Sequence, residues 1–286
     1  MQRYVLYNPL AGIGKKTDAL TEAKTLTAAQ NAVYIDVTNT DAIKNLFSAL
    51  KKGDVVCLCG GDGTLNRFIN DIPYIPENEI YYYPTGSGND FYRDVSGGKT
   101  TGDAVLINRY LVDLPVVVVG KQKHKFINNV GFGIDGYCCE TGDKLHEKKP
   151  HKKVSYTRIA VKGLLFDFQP VNAIVTVDGK EYAYQNVYLA PTMNGKYYGG
   201  GMMPTPQQIR LAEDKRVSVM IMHGKSKLKT LKIFPSIFTG KHVERTDCVE
   251  IKSGKEIKVV FDRPTALQID GETISDVTEY TVRAAV

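Results

Sequence analysis

A buried strand that runs into a glycine-rich turn constrains this chain more than any other segment. Residues 55–59 are apolar and rich in β-branched side chains, which is typical of a strand covered on both faces. Residues 65–70 have the pattern of a helix. The turn between them reads Gly60, Gly61, Asp62, Gly63 and Thr64. A strand covered on both faces needs a layer on each side of its sheet, so the segment predicts an α/β domain.

The start of the helix after this turn is a candidate anion site. Its first amide N–H groups have no helical partner, and the helix dipole favours negative charge there. Glycines let the backbone approach a phosphate closely. Asp62 would repel a phosphate unless a cation lies between them, so we interpret the turn as a site for a nucleotide with a divalent metal. An ordinary turn with a capping aspartate is the alternative at this point.

Length and charge narrow the class of protein. A chain of 286 residues is long for one core, so two domains are expected. The net charge of +6 suits phosphate ligands or an anionic membrane surface, but it is too small for a nucleic-acid arm, and no nucleic-acid partner is expected. No apolar stretch could span a bilayer and no signal peptide is recognisable. We therefore expect a cytoplasmic protein with reduced thiols, and peripheral contact with the inner membrane face is a further hypothesis.

Residues 1–111 alternate between predicted strands and helices. This order predicts a parallel sheet with helices on both faces, which is a three-layer α/β nucleotide-binding domain. Ligands of such sheets bind beyond the carboxyl ends of the strands. The segments expected at that edge are the loop after Asn8, Thr38, the turn at residues 60–64 and a second glycine-rich segment at residues 84–90.

Two of these segments, residues 8–16 and 84–90, carry weaker signals of nucleotide binding. Residues 8–16 form a glycine-bearing basic loop that lacks the spacing of a P-loop, although Asn8 and backbone amides could contact a nucleotide. In residues 84–90, Ser87 could line the nucleotide and Asp90 could reach the same metal ion as Asp62. A surface turn is the alternative for residues 84–90.

Residues 112–286 have a different sequence pattern, in which short strand-like runs are separated by turn signals. This pattern predicts an antiparallel β-sandwich. It includes a hairpin around Gly120 whose second arm is expected at residues 125–130, and separate strands at residues 257–261 and 266–269. Whether the last strand returns to the first domain is left open.

Three further segments carry weaker signals of function. Residues 131–136 match G-x-G-x-x-G, but they follow a strand of a β-rich domain and precede a poor helix start, so a dinucleotide site is not favoured. A basic loop at residues 144–153 with a helix at 155–168, and a lysine-rich amphipathic segment at 225–238, could each lie on anionic lipid. A solvated face on a packed helix is the favoured alternative for both.

Taken together, these motifs resemble the diacylglycerol kinase catalytic family, specifically the soluble bacterial lipid kinases, which are distantly similar to the NAD kinases and 6-phosphofructokinases. The resemblance covers nearly the whole chain. It is carried by Asn8-Pro9 with Gly12, Gly60 to Asn66, Pro84 to Phe91, Asn128 with Gly131 to Asp135, Gly199 to Met202, and Asp270-Gly271-Glu272.

The resemblance implies an α/β nucleotide domain of the NAD kinase/6-phosphofructokinase kind and a β-sandwich lipid domain. The ATP contacts that it implies are Asn8, Pro9, Gly12, Thr38, Gly60, Gly61, Asp62, Gly63, Thr64, Asn66, Ser87 and Asn89. It implies an aspartate–water–Mg²⁺ network at Asp62, Asp90 and Asp113, and a structural Mg²⁺ near Asp214. It also implies that Glu272 is the proton acceptor, with Asp270 beside it; on local sequence alone, Asp270-Gly271 is a hairpin turn.

Two positions depart from the family pattern. Arg67 stands where glutamate is usual, beside the nucleotide loop, and Lys215 follows Asp214 where glycine is usual. The function expected from the resemblance is ATP- and Mg²⁺-dependent phosphorylation of a lipid hydroxyl, most simply diacylglycerol to phosphatidic acid. A sphingoid-type lipid or NAD as the acceptor, and a non-catalytic nucleotide-binding regulator, are the alternatives. The sequence is compatible with a homodimer.

Overall fold

The computed structural model describes residues 1–10, 17–28, 31–148 and 154–285. The chain divides into two compact units, Met1–Leu114 and Pro115–Val286. The boundary expected at residue 112 lies close to this division.

The first unit is built on alternating strands and helices. In chain order they are β1 (Arg3–Tyr7), α1 (Ala19–Thr27), β2 (Val33–Asp36), α2 (Thr40–Ala49), β3 (Val55–Gly60), α3 (Asp62–Asp71), β4 (Ile80–Pro84), α4 (Asp90–Val95), β5 (Val105–Leu106) and α5 (Asn108–Leu111). The sheet has the order β2-β1-β3-β4-β5. Strands β1 to β4 pair in parallel, which confirms the predicted α/β fold, and β5 adds an antiparallel edge.

Local sequence explains where these helices begin. The Asn39 side chain caps α2 by accepting a 3.0 Å hydrogen bond from the Ala42 N–H. Helix α3 begins at Asp62, within the glycine turn, rather than at Leu65 as the apolar pattern suggested. The Leu65 N–H donates to the Gly61 carbonyl at 3.0 Å, so the turn itself forms the first helical hydrogen bond.

The second unit is dominated by strands. In chain order its elements are β6 (Val116–Val119), β7 (Gln122–Lys125), β8 (Asn129–Phe132), α6 (Ile134–Lys148), α7 (Tyr156–Lys162), a π-helical segment (Gly163–Asp167), β9 (Val171–Val177), β10 (Lys180–Val187), β11 (Thr192–Met193), β12 (Val217–Met222), α8 (Lys227–Ile233), two 3₁₀ helices (Phe234–Thr239 and Lys241–Glu244), β13 (Val249–Gly254), β14 (Glu256–Ile269) and β15 (Glu272–Arg283). The strands pair antiparallel, in agreement with the predicted sandwich.

One long strand replaces the two that were predicted at residues 257–269. β14 pairs with β15 along most of its length, while its other edge pairs first with β9 and then with β8. The register shifts between Val260 and Thr265, where Pro264 has no N–H to donate. The strand therefore continues through an irregularity that the sequence pattern interprets as a break.

The predicted hairpin around Gly120 is shorter than expected. Its second arm is β7, and residues 129–132 form the separate strand β8 between β11 and β14. The prediction of an arm at residues 125–130 was wrong because the left-handed Gly120 (φ +57°) closes the turn within two residues. The last strand stays in the second unit, where β15 pairs with β14 and β6.

The expectation of a poor helix after residues 131–136 was also wrong, because α6 begins at Ile134. Each glycine of the G-x-G-x-x-G match faces a different close neighbour. A Cβ atom would lie 1.8 Å from Asp135 Oδ2 at Gly131, 2.5 Å from the Tyr188 carbonyl oxygen at Gly133, and 1.9 Å from the Ala266 carbonyl oxygen at Gly136. The glycines thus fit a helix against an antiparallel sheet, and the parallel strand of a dinucleotide fold is not formed here.

The helices of the second unit cover one part of its sheet. Ile134, Leu164 and Ile237 are buried in a cluster with residues of β12 and β13, whereas the strands share a separate core around Phe132 and Val259. Helix α8 packs against the π-helical segment. No helix in the described ranges is long and apolar enough to cross a membrane.

Candidate functional site

The glycine turn of the first unit forms the carboxyl end of β3 and the start of α3. β3 is buried along its whole length, so the turn lies on a fixed support. A Cβ atom on Gly60 would lie 2.4 Å from Thr64 Cβ, whereas one on Gly63 would meet nothing within 4 Å. Gly63 is exposed, so an anion can approach the first turn of α3 at this residue.

Two glycines bring the loops after β3 and β4 into backbone contact. A Cβ atom on Gly86 would lie 2.5 Å from the Gly61 Cα, and one on Gly61 would lie 2.9 Å from the Gly86 Cα. The Thr85 N–H donates to the Gly60 carbonyl at 2.9 Å. The two segments predicted to meet at this sheet edge therefore do meet, and their contact requires glycine at both positions.

Asp62 joins α3 to α4. Its Oδ2 accepts a 2.9 Å hydrogen bond from the Asp90 N–H and its Oδ1 accepts one of 2.9 Å from the Phe91 N–H. A carboxylate at a helix N-terminus is favoured by the free amides and by the dipole. Asp62 therefore has a structural task, the anchoring of α4, which the sequence did not reveal.

The other predicted nucleotide contacts surround this turn to different degrees. Asn8 donates from Nδ2 to the Thr64 hydroxyl at 3.2 Å, which links the end of β1 to α3. Thr38 donates its N–H and its hydroxyl to Asp36 Oδ1, each at 2.7 Å. Asn66 and Asn89 are buried, whereas Pro9 and Ser87 are exposed. Gly12 lies outside the described residues.

Asn89 fixes the second glycine segment from within. Its Nδ2 donates to the carbonyls of Gly86 and Thr100, each at 2.9 Å, and its backbone takes a left-handed conformation with φ 49°. Asparagine tolerates that conformation better than most residues. Asn89 is thus a structural support of residues 86–90 and caps α4 through its backbone.

The predicted metal ligands are only partly gathered. Burial, followed by the nearby Asp62 and Asp90 carboxylates, raises the pKa of the Tyr82 hydroxyl well above its usual value. The Asp62 and Asp90 carboxylates therefore both lie near the buried Tyr82 hydroxyl. Asp113, which follows α5, is exposed. Within the described ranges, no group of three or more His, Cys, Asp or Glu side chains is arranged to hold a metal ion. Direct coordination by three aspartates does not fit this arrangement.

The second metal prediction falls on a surface turn. Asp214 Oδ2 lies 3.2 Å from Arg216 Nε, and both side chains are about half exposed. Lys215 has a left-handed backbone with φ 49°, which is the conformation that glycine adopts most easily. The turn thus keeps a glycine-like shape where this chain has lysine. Arg67, the other departure, pairs with Asp71 at 3.5 Å on α3.

In the second unit, Asp270 and Gly271 form the two-residue turn between β14 and β15. Both have positive φ values, 48° and 99°, as a tight hairpin requires. Asp270 Oδ2 accepts from the Ile127 N–H at 2.6 Å, and Oδ1 accepts from the Asn128 and Asn129 N–H groups at 2.8 and 2.9 Å. The carboxylate therefore holds the segment before β8, whereas Glu272, the residue after the turn, is exposed.

A second turn in the same unit has the same form. Asp178 and Gly179 join β9 to β10 with φ values of 48° and 83°. Asp178 Oδ1 accepts from the Lys255 and Glu256 N–H groups at 2.8 and 2.9 Å. The turns differ in the next residue, which is Lys180 in one and Glu272 in the other. Turn geometry alone does not distinguish a catalytic turn from a structural one.

Comparison with known proteins decides the family. Residues 2–113 match the diacylglycerol kinase catalytic domain, and residues 128–284 match the YegS C-terminal NAD kinase beta sandwich-like domain. The first match lies within the first unit and the second match lies within the second unit. This chain belongs to the diacylglycerol kinase catalytic family.

Relatives of this lipid kinase are distant but extend along most of its length. It is similar to the diacylglycerol kinase of Mycobacterium tuberculosis, with 27% identity over 254 residues that cover 84% of this chain and 79% of the relative. It is also similar to the crystal structure of a diacylglycerol kinase from Bacillus anthracis, with a TM-score of 0.65, 18% identity, and coverage of 99% of this chain and 94% of that one. At that identity the second comparison establishes the fold alone.

Proposed function

We propose that this lipid kinase transfers the γ-phosphate of ATP to the hydroxyl of a glycerolipid, with diacylglycerol as the acceptor and phosphatidic acid as the product. The observation that carries the proposal is the accessible start of α3, where Gly63 faces open space and amide donors are available to a phosphate. The relatives described above supply the acceptor class.

In this proposal the first unit binds the nucleotide. The amides of the turn at residues 60–64 hold the phosphates, and the hydrogen bond between Asn8 and Thr64 keeps the end of β1 beside them. Phosphoryl transfer depends on positioning and charge neutralisation more than on covalent chemistry, so a rigid turn suits the task.

Mg²⁺ enters the proposal as the companion of the ATP phosphates. It would neutralise charge that develops on the transferred phosphoryl group. Since no set of three acidic side chains is gathered among the described residues, Asp62 and Asp90 would act on the hydrated ion as a pair and Asp113 would be a lesser contributor. We do not extend the proposal to a structural ion at Asp214, because that side chain is engaged with Arg216.

The second unit supplies the proton acceptor. Glu272 is the first residue of β15 and is exposed, so its carboxylate is available to a lipid hydroxyl. Asp270 supports it by fixing the turn, since its oxygens hold three backbone N–H groups. Asp270 is thus a positioning residue in this proposal, rather than the base.

A phosphorylation assay tests the proposal. Purified protein is incubated with labelled ATP, Mg²⁺ and vesicles of anionic phospholipid that contain diacylglycerol, with parallel reactions that offer a sphingoid base or NAD instead. We expect label in the organic phase only with diacylglycerol. Label in NAD or in the sphingoid base would replace the acceptor, and no label in any reaction would overturn the proposal.

We also propose that the π-helical segment (Gly163–Asp167) and α8 of the second unit, here called the helical layer, lie on an anionic bilayer. Phe166 in the π-helical segment is 69% exposed and Leu228 on the adjacent α8 is 65% exposed. Lys229 and Lys232 of α8 are exposed as well. Apolar side chains among lysines suit an interface with anionic headgroups.

Vesicle sedimentation tests this surface. Phe166→Ser and Leu228→Ser are expected to reduce binding to anionic vesicles, and zwitterionic vesicles are expected to bind the native protein weakly. Ile174→Ser on β9 is the control, since Ile174 is 45% exposed but lies outside the helical layer. Equal losses in all variants would contradict the assignment.

A further inference from the structure

The turn that carries Glu272 is held by a buried glutamine. The Gly271 N–H donates to Gln268 Oε1 at 2.7 Å, and Gln268 is only 2% exposed. Gln268 lies on β14, two residues before the turn begins. Its side-chain oxygen thus fixes the backbone of the residue that directly precedes Glu272.

The other end of the same amide lies beside Asp135. A Cβ atom on Gly131 would lie 1.8 Å from Asp135 Oδ2 and 2.3 Å from Gln268 Nε2, so the two polar atoms share the space above this glycine. Asp135 Oδ1 accepts from the Gly136 N–H at 3.0 Å. Oδ1 therefore holds the carboxylate at the start of α6, while Oδ2 is buried beside the Gln268 amide and has no hydrogen-bond partner among the described residues.

The start of α6 is a firm base for this contact. A Cβ atom on Gly136 would lie 1.9 Å from the Ala266 carbonyl oxygen, so the first turn of α6 lies directly on β14. Asp135 is 7% exposed. A chain of contacts consequently runs from the α6 backbone through Asp135 and Gln268 to Gly271.

We infer that Asp135 is a positioning residue for the proton acceptor: it holds the Gln268 amide, which fixes Gly271, and it thereby sets where the Glu272 carboxylate lies. This inference rests on the proposed role of Glu272. A carboxylate suits the task because both of its oxygens accept, whereas an asparagine at this position would oppose one donor with another.

The surroundings of Asp135 make its charge responsive to pH. Burial raises the pKa of Asp135 to about 7, while the hydrogen bond from the Gly136 N–H and the nearby Gln268 side chain favour the charged form. The titratable groups that face it are Tyr280 on β15 and Cys138 and Cys139 on α6, whose pKa values are raised above their usual range by burial first and by Asp135 second or later. These groups are neutral near pH 7, so Asp135 titrates among uncharged neighbours. Its ionised carboxylate attracts the Gln268 amide more strongly than the protonated form does.

Hydrogen exchange read by mass spectrometry tests the inference without relying on activity. In Asp135→Asn we expect faster exchange in a peptide spanning residues 266–274. Exchange should be unchanged in a peptide spanning residues 174–182, which contains the similar turn at Asp178 and Gly179. Gln268→Met, which removes both amide contacts at similar volume, provides a second variant if the first folds poorly. Asp178→Asn is the reverse control: of these two peptides, it should increase exchange in residues 174–182 and leave residues 266–274 unchanged.

Kinetics then connect the turn to the chemistry. We expect Asp135→Asn to lower kcat by about tenfold to a hundredfold with little change in KM, because a small displacement of a reacting group has this effect. The limb of the kcat–pH profile near pH 7 should disappear in the variant. The double variant with Gln268→Met should lose no more than Gln268→Met alone, since both act through one contact.

Two outcomes separate the inference from the function on which it rests. Native exchange rates at residues 266–274 in both Asp135→Asn and Gln268→Met would overturn the inference even if the wild-type protein phosphorylates lipid. A wild-type protein that is inactive towards every acceptor would instead overturn the proposed function, while the exchange measurement would still report whether Asp135 holds the turn.

Discussion

The carboxylate of Asp62 accepts a hydrogen bond of 2.9 Å from the backbone N–H of Phe91, and this contact ties the start of α3 to the start of α4. The side chain that the family resemblance assigns to a metal network is therefore also a helix anchor. Loss of activity on replacing Asp62 would combine two effects, so stability must be measured alongside turnover.

Asp62→Ala should lower the free energy of unfolding by about 1–3 kcal/mol, because backbone donors at the start of α4 lose a charged acceptor. Urea denaturation followed by circular dichroism measures this. Asp41→Ala is the matched control, since Asp41 occupies the first turn of α2 and is exposed. Equal losses in the two variants would show that the contacts with α4 contribute little.

Gly86→Ala should destabilise the first unit, while Gly63→Ala should not. The new Cβ at Gly86 would meet the Gly61 Cα at 2.5 Å, whereas that at Gly63 meets nothing within 4 Å. Replacing a helical glycine by alanine is worth roughly 0.5–1 kcal/mol of added stability where there is room. Thermal unfolding measures this: the melting temperature of Gly86→Ala should lie below that of the native protein, and that of Gly63→Ala should not.

The same Gly63→Ala variant reports on ATP. If phosphates approach the turn closely, its methyl group should weaken ATP binding in calorimetry although the protein is at least as stable as the native one. Unchanged affinity for ATP in this variant would argue against phosphate contact at Gly63.

Glu272→Gln should reduce kcat by roughly 10²–10⁴-fold, the usual effect of removing a general base, with little change in stability because Glu272 is exposed. Glu181→Gln is the control, since Glu181 is an exposed glutamate near the matching turn on β10. Turnover measured under saturating lipid and ATP distinguishes them. Near-native kcat in Glu272→Gln would exclude it as the proton acceptor.

Asp135 should make stability depend on pH. Its pKa is raised by burial to about 7 in the folded protein, from a value of 3.8 for the unperturbed group, so the folded state retains the proton over that interval. The contribution of Asp135 to stability is therefore full below pH 3.8 and is lost as pH rises to about 7, by about 1.4 kcal/mol per pH unit at most.

Urea denaturation at several pH values checks this sign. The stability of the native protein should fall more steeply between pH 5 and pH 7 than that of Asp135→Asn, which has no proton to lose there. Parallel slopes would show that Asp135 does not titrate in this range.

Much of the fold could be predicted from periodicity and turn chemistry. The apolar run before Gly60 identified the central strand because a strand covered on both faces has no polar alternation. The asparagine cap of α2 is a local feature of the same kind, because Asn39 and its donor Ala42 are close in sequence. The short elements β5 and α5 were missed, since two and four residues are too few to show a period.

The candidate site was harder to predict where contacts are long-range. The meeting of Gly61 with Gly86 could be expected from the parallel sheet, but the engagement of Asp62 with α4 could not, because its partners are backbone groups 28 and 29 residues away. Asp135 and Gln268 are 133 positions apart and carry no shared motif. Their only sequence signal is a glycine, Gly131, placed four residues before a buried acid.

The three glycines at positions 131, 133 and 136 show how one spacing can arise from two unrelated needs. Here each glycine makes room for a specific carboxylate or carbonyl where α6 lies on an antiparallel sheet. A pattern search that ignores strand direction would assign such a chain to dinucleotide binding. The orientation of the strand that precedes the glycines should therefore be established before the spacing is used to infer a ligand.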